Sequence, residues 1–201
     1  MVVYVSPRIL PRRGQKTKME AVKLKTVDDL LLSPEERVEL IGGDIVRRPM
    51  TRFAHARAQG GTRGALHGLT QGRGAGGGWW ILTDVSVAYE VHECPSHDLA
   101  GWRRERLPDP PDGVIDLPPY WVCEIVSPDH EKKDTVTIPL LLQRHRVPWF
   151  WLIWPEERVL IAHALEGDGY RAIATLNAAE HRRVRVPPFD AMELDLAAML
   201  E

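Results

Sequence analysis

Two acidic residues stand where the chain is predicted to form neighbouring strands. Asp98 lies in a short β-type segment, and Glu124 lies in the alternating, β-former-rich run Tyr120 to Pro128. A carboxylate inside such a strand is costly to bury unless a metal ion, a proton or a basic partner compensates it. Metal-dependent phosphodiester hydrolases hold their ions with carboxylates placed in this way. The pattern alone leaves a second interpretation open, in which Glu124 is a structural residue paired with a basic side chain.

The elements around Glu124 predict a mixed sheet. Its strand is followed by a helix from Asp134 to about Arg146, and then by the continuously apolar run Pro148 to Pro155. A strand, a helix and a second strand in this order form a crossover between parallel strands. Hairpins are predicted on both sides, at residues 39–48 and 160–176. The expected fold class is α+β, with a mixed central sheet flanked by helices in α/β/α-like layers.

Outside this core, we predict a helix capped by Thr26, a second one capped by Ser33, and a longer helix at residues 54–69. The strand from Trp79 is expected to continue as far as Val91. A glycine-rich loop (residues 72–78) and a proline-rich loop (residues 103–119) separate the elements.

Size and composition limit the function. The 201 residues predict one domain, 25–201, preceded by a basic extension at residues 1–24 that is either floppy or a phosphate-binding arm. The net charge of -2 means that any nucleic-acid contact must come from a local patch. The two cysteines, Cys94 and Cys123, have no paired spacing, which favours a reducing cytoplasm. No apolar run is long enough to span a membrane.

An ordered set of motifs resembles a known family. The set consists of Glu39-Leu-Ile-Gly-Gly-Asp, Pro49 followed by His55, Asp98-Leu-Ala-Gly-Trp-Arg-Arg-Glu-Arg-Leu-Pro, Trp121-Val-Cys-Glu-Ile-Val-Ser-Pro, Asp134 and Val147-Pro-Trp. Together they resemble the Uma-two family of predicted endonucleases, a branch of the restriction-endonuclease-like PD-(D/E)XK superfamily. The resemblance covers about residues 26–198.

The resemblance implies a metal-dependent nuclease site. It matches Asp98 and Glu124 to the family's core acidic pair, Glu39 to a glutamate near the domain start, and Asp134 to the aspartate that opens the following helix. Asp98, Glu124 and Asp134 would then bind Mg²⁺ or Mn²⁺, which favour oxygen ligands. The implied partner is DNA.

The chain departs from the family at its catalytic lysine. The superfamily position holds Val126, the family's alternative position holds Ile138 or Thr137, and His97 stands where the family has proline. Losing one preorganised charged group typically lowers the rate about 10²–10³-fold. Lys132 or Lys133 could reach the site instead, and we take Lys133 as a catalytic candidate together with Asp98, Glu124 and Glu39.

Three further residues are candidates for phosphate contact: His55, Arg103 and Arg144. Packing explains His55 equally well, and a solvated loop explains Arg103. The sequence therefore supports two hypotheses, a Mg²⁺-dependent DNA endonuclease or a catalytically inactive nuclease-fold protein that serves as a nucleic-acid-binding or partner subunit. The tryptophan-rich run from Trp149 to Trp154 is either sheet core or part of a homodimer contact.

Overall fold

The computed structural model describes residues 23–71, 78–128 and 131–200. Most of the predicted basic extension (residues 1–22) and most of the glycine-rich loop (residues 72–77) lie outside the described residues. The strands, in chain order, are β1 (Val38–Ile41), β2 (Asp44–Arg47), β3 (Trp79–Ser86), β4 (Ser96–Arg103), β5 (Trp121–Ile125), β6 (Trp149–Trp154), β7 (Val159–Glu166), β8 (Gly169–Asn177), β9 (Arg183–Val184) and β10 (Leu194–Asp195). The helices are α1 (Val27–Leu31), α2 (Phe53–Ala65), α3 (His67–Thr70), α4 (Ile138–Arg144) and α5 (Leu196–Leu200).

A six-stranded sheet in the order β3-β4-β5-β6-β7-β8 forms the centre of the fold. Its neighbours are antiparallel except β5 and β6, which are parallel and are joined through α4. This confirms the predicted crossover and the mixed sheet. The predicted hairpins are also present, as β1–β2 and β7–β8.

The sheet is covered on both faces. A first core packs one face against α2, α3 and α5, and includes Trp121, Cys123 and Ile125 of β5. A second core packs the other face against α4, and includes Val122 and Val126. The alternation predicted for β5 is therefore confirmed. The apolar run in β6 lies inside the sheet, and its four central residues are buried.

Lys133–Thr137 form a π-helical turn that leads directly into α4. Pro139 follows this turn and explains it, because proline cannot donate a hydrogen bond to the carbonyl of Thr135 and its ring would clash there. The prediction that the helix begins at Asp134 is wrong. Asp134 lies within the π-turn and is buried, because its side chain faces the interior rather than the helix end.

Two other predictions fail at element boundaries. No helix begins at Ser33: its hydroxyl accepts a hydrogen bond from the backbone N–H of Glu35 in a local turn, and β1 begins too soon afterwards for a helix. The strand from Trp79 ends at Ser86 and does not continue to Val91. Thr26 does cap α1, through a capping box with Asp29. Within the described ranges, no helix is both long enough and apolar enough to cross a membrane.

Candidate active site

Strand pairing brings the two predicted core acids together. Leu99 of β4 pairs with Cys123 of β5, which makes Asp98 and Glu124 neighbours across the antiparallel pair. The backbone N–H of Asp98 lies 3.4 Å from Oε2 of Glu124. Both side chains are buried, with residue exposures of 7% and 1%.

A left-handed residue in β3 interrupts the regular alternation beside this pair. Asp84 has a φ of 50°, a conformation that aspartate tolerates better than most residues. Ile81 packs in the first core and Val85 in the second, although residues four apart in a regular strand share a face. In the facing strand, Leu99 packs in the first core, but the ring of His97 contacts an aromatic residue packed against the second. The interruption explains how consecutive residues of β4 reach the same site.

A small pocket opens at the carboxyl end of β5, between the start of α2 and the π-turn. Asp98, Asp134, Lys133, His55 and Arg48 contribute to its wall. Its volume is about 40 Å³. Since one water needs roughly 10–15 Å³, the pocket can hold about three waters or a partly hydrated ion.

Lys133 contributes the ammonium group of the pocket. Its Nζ lies 2.8 Å from Oε1 and 2.9 Å from Oε2 of Glu39, whose Oε2 also accepts the backbone N–H of Ser96 at 3.0 Å. Burial opposes the charged form, but Glu124 and Glu39 raise the pKa of Lys133 overall. Lys133 is therefore a fixed, charged lysine at the pocket wall. Ile138, which with Thr137 is one of the two positions that the resemblance matches to the family's lysine, is fully buried in the second core.

The carboxylate of Asp98 lies close to three neighbouring groups. Its Oδ2 accepts the N–H of Ile125 at 2.8 Å, and its Oδ1 lies 3.2 Å from Nε2 of His55 and 3.8 Å from Arg48. Burial alone would raise the pKa of Asp98, but the hydrogen bond and charge of His55 and the Ile125 N–H lower it overall. For His55 the directions are reversed: burial alone would lower its pKa, but the hydrogen bond and the charge of Asp98 raise it overall. The pair is therefore ionic across a wider pH range than either residue alone.

Glu124 forms a hydrogen bond with a histidine and does not line the pocket. Nδ1 of His97 lies 2.5 Å from Oε1 of Glu124, and Nε2 of His97 lies 2.9 Å from the hydroxyl of Tyr89. Burial, followed by the charge of Lys133, lowers the pKa of His97 to about 3. The neutral ring thus bridges Glu124 and Tyr89 through its two nitrogens. Glu124 itself does not line the pocket.

The charge of the site suits a divalent cation. Four buried carboxylates meet around Lys133 and Arg48: Glu39, Asp98, Glu124 and Asp134. Burial and then Glu124 raise the pKa of Asp134 to about 8, and burial and then Asp98 raise the pKa of Glu124 well above its usual value. Burial is the first cause of both shifts and neighbouring acids add to it, and a bound cation would lower both pKa values.

Among the residues that the structure describes, no three acidic, histidine or cysteine side chains converge as a ready-made ion site. Mg²⁺ needs fewer than three protein ligands, because proteins commonly hold it by one or two carboxylates while waters and substrate phosphates complete the coordination. Asp98 and Asp134, which line the same pocket, are such a pair. The donor set therefore fits a hydrated Mg²⁺ or Mn²⁺.

Comparison with known proteins agrees with this geometry. The model of the Uma2 family, described as "Putative restriction endonuclease", matches residues 24–197. The chain belongs to the Uma2 family. This confirms the resemblance to the Uma-two motifs in the sequence.

The fold is also similar to that of a solved relative. A crystal structure of a "putative nuclease belonging to DUF820" from Anabaena variabilis shares it with a TM-score of 0.70 and 20% sequence identity, covering 87% of this chain and 97% of that chain. At this identity the likeness supports the restriction-endonuclease-like fold. No curated protein matches the chain.

Not every candidate of this Uma2 protein lies at the pocket. Arg103 stacks over Trp79 at the other end of β4 and pairs with Glu105. Arg144 lies at the end of α4 near Glu90 and Glu93. Neither lines the pocket. Of the three phosphate-contact candidates, the structure brings only His55 to it.

Sequence reasoning missed three residues of the site: Arg48, Tyr89 and His97. Arg48 donates to Asp84 at 2.7 Å and approaches Asp98, but a hairpin arginine carries no local signal for such a role. Tyr89 joins the site only through His97. For His97 there was a signal, since the family has proline at this position. A buried polar side chain in place of proline needs hydrogen-bond partners, and Nδ1 of His97 has one in Glu124.

Proposed function

We propose that this Uma2 protein is a divalent-metal-dependent endonuclease that hydrolyses phosphodiester bonds of DNA. The observation that carries the proposal is a small pocket lined by two buried carboxylates, Asp98 and Asp134, and by the ammonium of Lys133. Oxygen ligands, a fixed ammonium and an opening large enough for a few waters are what hydrolysis of a phosphodiester requires. Family membership supports the same reaction class.

Asp98 and Asp134 would hold the ion from the pocket wall, and Glu124 is the third candidate ligand, from the strand beside Asp98. When bound, a divalent cation polarises the scissile phosphate, lowers the pKa of an attacking water and offsets charge on the leaving oxygen. Mg²⁺ is the expected ion, with Mn²⁺ as a substitute.

The protein's own side chains orient the substrate. Lys133, held by Glu39, presents its ammonium to a phosphate oxygen and stabilises negative charge as the phosphorus becomes pentavalent. Arg48 supplies further positive charge at the pocket wall, and so does His55 in its protonated form, which Asp98 favours by raising the pKa of His55. Each cation is fixed by a carboxylate before substrate arrives, so little reorganisation is needed during the reaction.

Calorimetric titration with Mn²⁺ tests the metal site. The wild-type protein should bind the ion, while Asp98→Asn and Asp134→Asn should bind it at least about tenfold more weakly, because each removes a charged ligand. Glu124→Ala tests the third ligand. Asp28→Asn, which changes an exposed acid of α1, is the matched control and should bind as wild type. Equal binding by all of these proteins would refute the site.

One observation favours the alternative, a nuclease-fold protein that binds nucleic acid without cleaving it. Glu124 is engaged by His97, which replaces the family's proline, and its carboxylate does not face the pocket. A metal titration combined with plasmid nicking separates the two functions. Metal binding with nicking supports the endonuclease, whereas metal binding without nicking supports the inactive binding protein.

A further inference from the structure

Two large apolar side chains stand exposed next to the pocket, Met50 at its wall and Phe53 at the start of α2. Met50 is 88% exposed and Phe53 is 85% exposed, the highest values among large apolar residues in the described part of the chain. Met50 lines the pocket, and Phe53 begins α2 two residues before His55. Single exposed apolar residues are normal. These two share one five-residue stretch, 49–53, which we call the rim segment.

The rim segment is fixed to the domain by arginines. The guanidinium of Arg37 donates to the carbonyl of Pro49 and to the hydroxyl of Thr51, both at 3.1 Å. The backbone N–H of Arg48, just before the segment, donates to the carbonyl of Arg37 at 2.8 Å. Met50 and Phe53 are therefore presented on an anchored loop, which reduces the ordering that a ligand would have to impose.

The position of these residues beside the proposed hydrolytic pocket favours a nucleic acid as the partner. Arg37 and Arg48 line the pocket, and Arg52 and Phe53 follow at the start of α2. Nucleic-acid-binding proteins use arginine for phosphates, and proline, methionine and phenylalanine as wedges or stacking surfaces for bases. Pro49, Met50 and Phe53 provide all three apolar types within the rim segment.

We propose that the rim segment contacts unstacked bases beside the phosphate that enters the pocket, with Met50 and Phe53 against base faces. This inference rests on the proposed function and specifies its substrate. Nucleic acid that already contains unpaired bases would bind more tightly than a perfect duplex, because no base step has to be opened. The substrate class is therefore DNA with an unpaired or distorted stretch near the cleavage point.

Binding measurements by fluorescence anisotropy test the inference. A short DNA duplex is compared with the same duplex carrying an unpaired bubble, with Mg²⁺ and again with EDTA. Wild type should prefer the bubble. Phe53→Ala and Met50→Ala should each bind the bubble roughly 5- to 150-fold more weakly, as expected for the loss of one base contact. Leu32→Ala removes an equally exposed side chain (83%) from the end of α1 and should bind as wild type.

A second readout reports the base contact directly. A 2-aminopurine in the bubble should change fluorescence when wild type or Phe53→Trp binds, and much less with Phe53→Ala at saturating protein. Unchanged affinity and fluorescence for Phe53→Ala and Met50→Ala, while wild type still nicks plasmid, would overturn the inference and leave the proposed function standing. The inference would also be overturned if the two alanine variants bound DNA as wild type does but had a smaller molar mass in light scattering. That result would identify the rim segment as an interface between protein chains. If wild type neither binds nor nicks DNA, the proposed function fails, and the inference fails with it.

Discussion

Replacing Lys133 with methionine removes the ammonium of the pocket while keeping most of the side chain. Its Nζ is within 2.9 Å of both oxygens of Glu39, and Glu39 is 2% exposed. Removing one partner of a buried ion pair typically costs about 3–5 kcal/mol. Since the Lys133 side chain is 22% exposed, we expect the lower end, about 3 kcal/mol. In a domain of this size that lowers Tm by roughly 6–12 °C.

Urea unfolding of wild type, Lys133→Met, Glu39→Gln and the double variant forms a double-mutant cycle, which gives the interaction free energy of the Lys133–Glu39 pair. The double variant should be more stable than Lys133→Met, because it leaves no unpaired buried charge. Lys132→Met changes an exposed neighbour and should stay within about 0.5 kcal/mol of wild type. In plasmid nicking, Lys133→Met should lose about 10²–10³-fold in rate, and Lys132→Met should not. Wild-type stability and activity in Lys133→Met would refute the role given to Lys133.

Three other substitutions test separate parts of the account. Ile138→Lys restores the family's lysine position but buries an ammonium in the second core, so we expect a loss of several kcal/mol in urea unfolding and no faster nicking; a faster enzyme would contradict this. The folded-state pKa of Asp134 is about 8, above its usual 3.8, so its stabilising contribution is complete below about pH 4 and is lost as pH rises towards 8. In EDTA, the free energy of unfolding of wild type should therefore fall between pH 4 and 7 by on the order of 4 kcal/mol more than that of Asp134→Asn. Parallel pH profiles of the two proteins would refute the raised pKa. His97→Phe leaves buried Glu124 and Tyr89 without their shared partner and should lower the unfolding free energy by about 2–3 kcal/mol; an unchanged value would show that the bridge contributes nothing.

The sheet and its acids could be predicted because local patterns determine them. The β-former run around Glu124 and the alternation of Trp121, Cys123 and Ile125 predict a strand with two distinct faces. The following helix and apolar strand predict the parallel β5–β6 pair. Once Asp98 was placed in the preceding strand, its approach to Glu124 followed from antiparallel pairing.

The cationic side of the pocket could not be predicted from the same patterns. Lys133 and Asp134 both line the pocket because the chain forms a π-turn before Pro139, and a regular helix starting at Asp134 would orient them differently. Arg48 reaches Asp98 across elements that are distant in sequence. His97 meets Glu124 in the strand that pairs with β3, next to the left-handed Asp84. These positions depend on tertiary packing and irregular backbone, which have no residue periodicity.

The most direct test of the central claim is nicking of supercoiled plasmid by wild type and by Asp98→Asn, with Mg²⁺ or Mn²⁺ and with EDTA. Asp98→Asn keeps the shape of the side chain and removes the charge that would hold the ion, and folding of both proteins can be matched by circular dichroism. We predict nicking by wild type that depends on the metal and is lost in EDTA, and a decrease of at least about 10²-fold in Asp98→Asn. Equal nicking by the two proteins, or nicking that EDTA does not affect, would contradict a metal-dependent endonuclease centred on Asp98.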